Sequence, residues 1–122
     1  MPSNFIGPVG AFLAEISFQV MGFASYLLPG LVAAAGITVN LAPVVDVNAN
    51  ANNPVIGKLD RSFSPDPAVV TRHAQAFVEA HHAEGVLCCP KHFPGHGSST
   101  ADSHRGLVDV TDSWTRRELE PY

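Results

Sequence analysis

The sequence predicts an α/β fold with a parallel sheet, and three observations carry that prediction. Residues 37–47, ITVNLAPVVDV, are rich in β-branched side chains and apolar on both alternating faces. A strand covered by helices on both sides reads this way. Residues 66–85, DPAVVTRHAQAFVEAHHAEG, then read as a helix, and VLCCP at 86–90 follows as a second short apolar run. Strand, helix and strand at this spacing form a parallel unit.

Each element has a local cause. Asp66 is an N-cap whose carboxylate can take a free amide, and Pro67 occupies the first helical position, where its missing N–H has no partner to lose. Val70, Ala74, Phe77 and His81 share one face of this helix, and Gly85 stops it. The Asn-, Pro- and Gly-rich segment from Asn48 to Gly57 is a loop after the first strand. After the second strand comes KHFPGHGSSTADSH, residues 91–104, in which Pro94, Gly95 and Gly97 deny a helix. TRRE at 115–118 offers a capping box for a further helix. Both polar loops leave the carboxyl ends of strands, where parallel sheets carry their chemistry.

Composition narrows the partners. A chain of 122 residues, 46% hydrophobic, suffices for one small domain with a modest core. Its net charge of -4, without a basic cluster, argues against nucleic acid or an anionic membrane and for a small or neutral ligand. Residues 9–35 are apolar enough to suggest a membrane span, yet Glu15 and Gln19 lie inside, Pro29 breaks the run, and no lysine or arginine flanks it. A buried helix is the expected state. Cys88 and Cys89 are adjacent within an apolar run, so they form neither a zinc motif nor a disulfide framework and leave the compartment undetermined.

The loop at 91–104 concentrates chemistry. His92, His96, Asp102 and His104 could ligate zinc, but H-x-x-x-H aligns two imidazoles only on a helix. GHGSSTA lacks the G-x-S-x-G of a nucleophile elbow around Ser98 or Ser99, and Lys91 precedes the glycines rather than following them as a phosphate loop requires. A supported general acid fits better. Asp102 and His104 stand two residues apart, so an extended backbone would put both on one face, where the carboxylate orients the imidazole and supports its protonated form. Lys91 and His92 would present donors to hydroxyl oxygens.

KHFPGHG followed by DSH, with NLAPVVDVN and NPVIG-RSF upstream, resembles the N-terminal catalytic domain of glycoside hydrolase family 3. The likeness is strongest to its β-N-acetylglucosaminidase (β-N-acetylhexosaminidase) branch and runs over 36–122, whereas 9–34 lacks the charged amphipathic helix of family members. It implies a (β/α)8 TIM barrel, of which this chain, well short of the roughly 250 residues typical of that fold, is a fragment. It implies removal of terminal β-linked N-acetylglucosamine with retention, His104 being the acid/base, Asp102 its dyad partner, and Arg61, Lys91 and His92 the sugar contacts. No metal or cofactor enters this scheme. The inserted KLD before Arg61 is expected to shift that arginine, and the family's nucleophilic aspartate falls on a later strand beyond Tyr122, which would leave the chain inactive alone. A non-catalytic truncated sugar-binding module, a β-glucosidase-type relative and a phosphorolytic relative are the alternatives.

Overall fold

The computed structural model describes residues 27–122. The expected features of residues 9–26 lie outside this range. Residues 27–34 are helical (α1), and Pro29 is buried among them. The expectation that Pro29 breaks the apolar run 9–35 concerns mainly residues outside the described range. Among the described residues, no helix is long and apolar enough to cross a membrane.

The chain then forms β1 (Val39–Asn40), helix α2 (Pro67–Ala83) and β2 (Leu87–Cys88). The two strands pair in parallel, Val39 opposite Leu87 and Asn40 opposite Cys88. Both strands are much shorter than their apolar runs. Pro43 has no N–H to give the ladder, so regular pairing lapses there and resumes as a single bridge between Val44 and Lys91. At that bridge the Lys91 N–H donates to Pro43 O at 3.0 Å and the Val45 N–H donates to Lys91 O at 2.7 Å. Nor are the strands covered on both faces throughout, since Leu41 and Leu87 are exposed while Val45 and Val47 are buried.

Helix α2 follows its sequence signals closely. Asp66 accepts the Ala68 N–H at 3.0 Å, and Gly85 takes a left-handed φ of 74° just past the helix. Val70 and Ala74 pack with Val45 and Val47 into the hydrophobic cluster. His81, on the same face, is polar yet fully satisfied. Its Nδ1–H donates to Phe77 O at 2.9 Å and its Nε2 accepts from Asn40 Nδ2 at 3.1 Å, which ties α2 to β1. The capping box at 115–118 also forms, with Thr115 and Glu118 exchanging bonds, but it opens a 3-10 turn at Arg116–Leu119 rather than an α-helix.

The two polar loops dock on one another. Asn53, wholly buried, accepts the Val55 and Ile56 amides on Oδ1, and its Nδ2 donates to His96 O at 2.6 Å. Asn50 adds a bond from its Nδ2 to Ser99 O and one from its backbone N–H to Gly97 O. Gly97 is pressed so close to the strand end that a Cβ there would lie 1.6 Å from Val47 O.

Candidate active site

Asp102 and His104 meet, by a different route from the extended backbone expected. Asp102 caps a 3-10 turn at Ser103–Arg105, and its Oδ1 accepts both the His104 backbone N–H at 2.9 Å and the ring Nδ1–H at 2.8 Å. A short acidic side chain readily takes the amide two residues on, and that bond delivers the imidazole to the same oxygen. The Asp102 carboxyl is held below the usual carboxylate range, first by the His104 amide, then by the His104 ring, with a smaller contribution from the Arg105 charge. Asp102 therefore stays anionic through the neutral range, while the His104 side chain is 76% exposed and open to a ligand.

His92 is held from behind. Its Nδ1 lies 2.6 Å from Asp46 Oδ2, and the His96 backbone N–H donates to Asp46 Oδ1 at 2.7 Å. Asp46 is completely buried. The rings of His92 and His96 stand edge to face with centroids 6.3 Å apart, and among the described residues no group of three or more His, Cys, Asp or Glu side chains could hold a metal ion. Lys91 is fixed through its backbone by the Pro43 and Val45 bonds at the strand end. An open cleft of about 520 Å³ runs from His92, Phe93 and His96 to Ser103, Leu107 and Val108. Its Ser103 side is flanked in sequence by the two members of the pair.

Arg61 lies in the loop after β1, adjacent in sequence to Ser62, whose hydroxyl donates to Asp46 O. Residues Gly57–Leu59 form a 3-10 turn closed by Asp60 in the left-handed region, so the inserted KLD is absorbed as a compact turn. The Arg61 guanidinium donates to Val55 O at 3.1 Å, within its own loop.

Three buried polar residues organise the site without having been assigned to it from the sequence: Asp46, Asn53 and Glu118. Glu118 was legible only as a cap, yet its Oε2 also accepts the Ser98 N–H at 3.1 Å and so braces the loop. Asp46 did leave a signal, since it and Glu15 are the only charges before Lys58, and it sits inside the apolar run 37–47. The Tyr122 phenol is pushed well above its ordinary range by burial and by the charges of Asp46 and Glu118, and its ring meets Phe93 edge to face.

The family model for the glycosyl hydrolase family 3 N terminal domain matches residues 23–122. The chain belongs to glycosyl hydrolase family 3. This family 3 chain is 52% identical over 90 residues to beta-hexosaminidase A of Pseudoalteromonas piscicida, a match covering 71% of the chain and 15% of that protein. It is 47% identical over 110 residues to the beta-hexosaminidase of Xylella fastidiosa strain M12, covering 89% of the chain and 32% of that protein. Among solved structures, a glycoside hydrolase family 3 β-N-acetylglucosaminidase from Paenibacillus sp. str. FPU-7 matches with a TM-score of 0.70 and 37% identity, over 80% of this chain and 19% of that one. The family 3 chain thus spans less than a third of the length of each of these relatives.

Proposed function

We propose that this chain is part of the (β/α)8 barrel of a retaining glycosidase that removes terminal β-linked N-acetylglucosamine, with His104 as acid/base and Asp102 as its partner. The observation that carries this reading is the Asp102–His104 bond of 2.8 Å beside an open cleft. With Nδ1–H given to Asp102, the ring directs Nε2–H outward. That proton passes to the glycosidic oxygen as the bond to the anomeric carbon breaks, and the Asp102 anion supports the imidazolium that holds it beforehand. The neutral Nε2 then takes a proton from the water that attacks the glycosyl intermediate. Lys91, His92 and Arg61 contact the sugar. The nucleophile is a further carboxylate, about 5 Å from the acid in the usual two-carboxylate arrangement, supplied by the rest of the barrel. Support comes from the hexosaminidase relatives and from the site's own carboxylates, since Asp46 and Glu118 are buried and engaged.

A grafted enzyme tests this reading: the Xylella relative with its matching segment replaced by this one, 47% identity making the exchange conservative. Hydrolysis of a β-linked N-acetylglucosamine oligomer, followed by proton NMR, is expected to release the β-anomer first. Initial release of the α-anomer would overturn retention.

Three substitutions in the grafted enzyme extend the test. Asp102→Asn keeps the shape but loses the anion, and is expected to lower kcat about tenfold on substrates with poor leaving groups, a part of what a general acid contributes. Because the folded carboxyl titrates below its ordinary value, its support is complete above pH about 4 and is lost only as pH falls through the lowered value. The difference between wild type and Asp102→Asn should therefore persist from neutral pH down to that point in a pH–rate comparison. Lys91→Ala is expected to raise KM about tenfold through lost donors, with activity unaffected by chelators. Gly97→Ala should destabilise the fold by about 3 kcal/mol, read by denaturant unfolding, because the new Cβ meets backbone that has no room to yield.

A further inference from the structure

Asp46 is a wholly buried carboxylate between Val45 and Val47, themselves in the core, so it has little freedom to move. Donors converge on it from the site loop. Its Oδ1 accepts the His96 N–H at 2.7 Å and, more distantly, the His92 N–H at 3.5 Å, while Oδ2 faces His92 Nδ1 at 2.6 Å. Its carbonyl accepts the Ser62 hydroxyl at 2.5 Å, which anchors the residue next to Arg61 to the same strand end. The two amides can only donate, so Oδ1 is committed as an acceptor. Imidazole nitrogen is a stronger base than carboxylate oxygen, so the proton shared with Oδ2 belongs on Nδ1. The ring's other nitrogen, Nε2, has no hydrogen-bond partner among the described residues, and His92 lines the cleft.

We propose that Asp46 is a positioning residue that locks His92 as the Nδ1–H tautomer, so that the neutral ring offers Nε2 to the cleft as an acceptor of a sugar hydroxyl proton. The inference rests on the reading of His92 as a sugar contact and reverses the role expected for it, which was that of a donor. Lys91 remains a pure donor. The neighbours then form a complementary pair, one donating a hydrogen bond to the sugar and one accepting a hydrogen bond from it. A hydroxyl satisfies such an acceptor, whereas fluorine, a methyl ether or a bare hydrogen in its place does not.

The test has two arms in the grafted enzyme. Nitrogen-15 NMR of labelled imidazoles at pH 8, with His92→Gln to assign the signal, is expected to show His92 protonated on Nδ1 and bare on Nε2. The opposite tautomer, or a doubly protonated ring, would overturn the proposal without reference to turnover. The second arm is calorimetric binding of N-acetylglucosamine and of its deoxy and deoxyfluoro analogues at each ring hydroxyl. At the contacted hydroxyl the deoxy and fluoro compounds should both bind about tenfold more weakly, the loss of one hydrogen bond. Asp46→Asn keeps an oxygen for the His96 amide but turns an N–H₂ toward Nδ1, forcing the proton to Nε2. In that variant the fluoro compound should bind better than the deoxy compound, since fluorine can accept. Equal rejection of fluorine and hydrogen before and after the substitution would overturn the role of Asp46. If Asp46→Asn does not fold, the wild-type tautomer and wild-type fluoro series still decide the matter. Should N-acetylglucosamine not bind at all, the substrate reading fails, and the acceptor role with it, while the NMR arm separately decides the tautomer.

Discussion

In the grafted enzyme, His104→Ala is expected to slow cleavage of N-acetylglucosamine oligomers about 10²- to 10⁴-fold, the range a positioned general acid supplies. Cleavage of dinitrophenyl N-acetylglucosaminide should fall far less. The asymmetry follows from the proposed job of Nε2–H: a sugar alkoxide is a poor leaving group and needs a proton as it departs, whereas a dinitrophenolate leaves unaided. The substituted histidine is largely exposed and its partner Asp102 sits on a surface turn, so the alanine variant should keep its folded stability. Losses of equal size on both substrates would remove the acid assignment. A structural role for His104 would show as a lowered unfolding midpoint, which the same preparation measures.

Helix α2 was legible because every cue agreed: Asp66 and Pro67 at its start, Gly85 at its end, and Val70, Ala74 and His81 buried on the face between. The strands were legible in position but not in length, because hydrogen bonding across Pro43 depends on the neighbouring chain rather than on the apolar pattern that reveals a strand. The Asp102–His104 contact was readable from spacing alone, although the turn that makes it was not. Asp46 and Glu118 were hidden for a common reason. Their partners are backbone amides and a ring 20 to 50 residues away, and a carboxylate that serves distant N–H groups looks in sequence like any other acidic residue. Arg61 shows a different limit: its motif marked it as a sugar contact, but the turn of Gly57–Leu59 and the bond of its guanidinium to Val55 O could not be read from the sequence.

The chain of 122 residues by itself is expected to show no turnover of an aryl N-acetylglucosaminide, a loss complete within the assay's sensitivity. Retention requires a carboxylate to attack the anomeric carbon. Carboxylates near the cleft are engaged already: Asp46 by His92 and His96, Asp102 by His104, Glu118 by Ser98 and Thr115, and Asp109 by the amide and hydroxyl of Thr111. His104 can then protonate a leaving group but has no partner reaction to complete. Packing points the same way. The described sheet has two strands, fewer than independent stability usually needs, and Leu31, Leu41, Leu87 and Leu107 lie exposed around it. Apolar surface of that kind seeks burial, so light scattering should report association and the near-ultraviolet circular dichroism should be weak. Adding back activity by grafting, with the isolated chain inert, would locate the nucleophile in the host portion. A monodisperse isolated chain that hydrolyses the aryl substrate would instead place a nucleophile among these residues and overturn the proposed division of the active site.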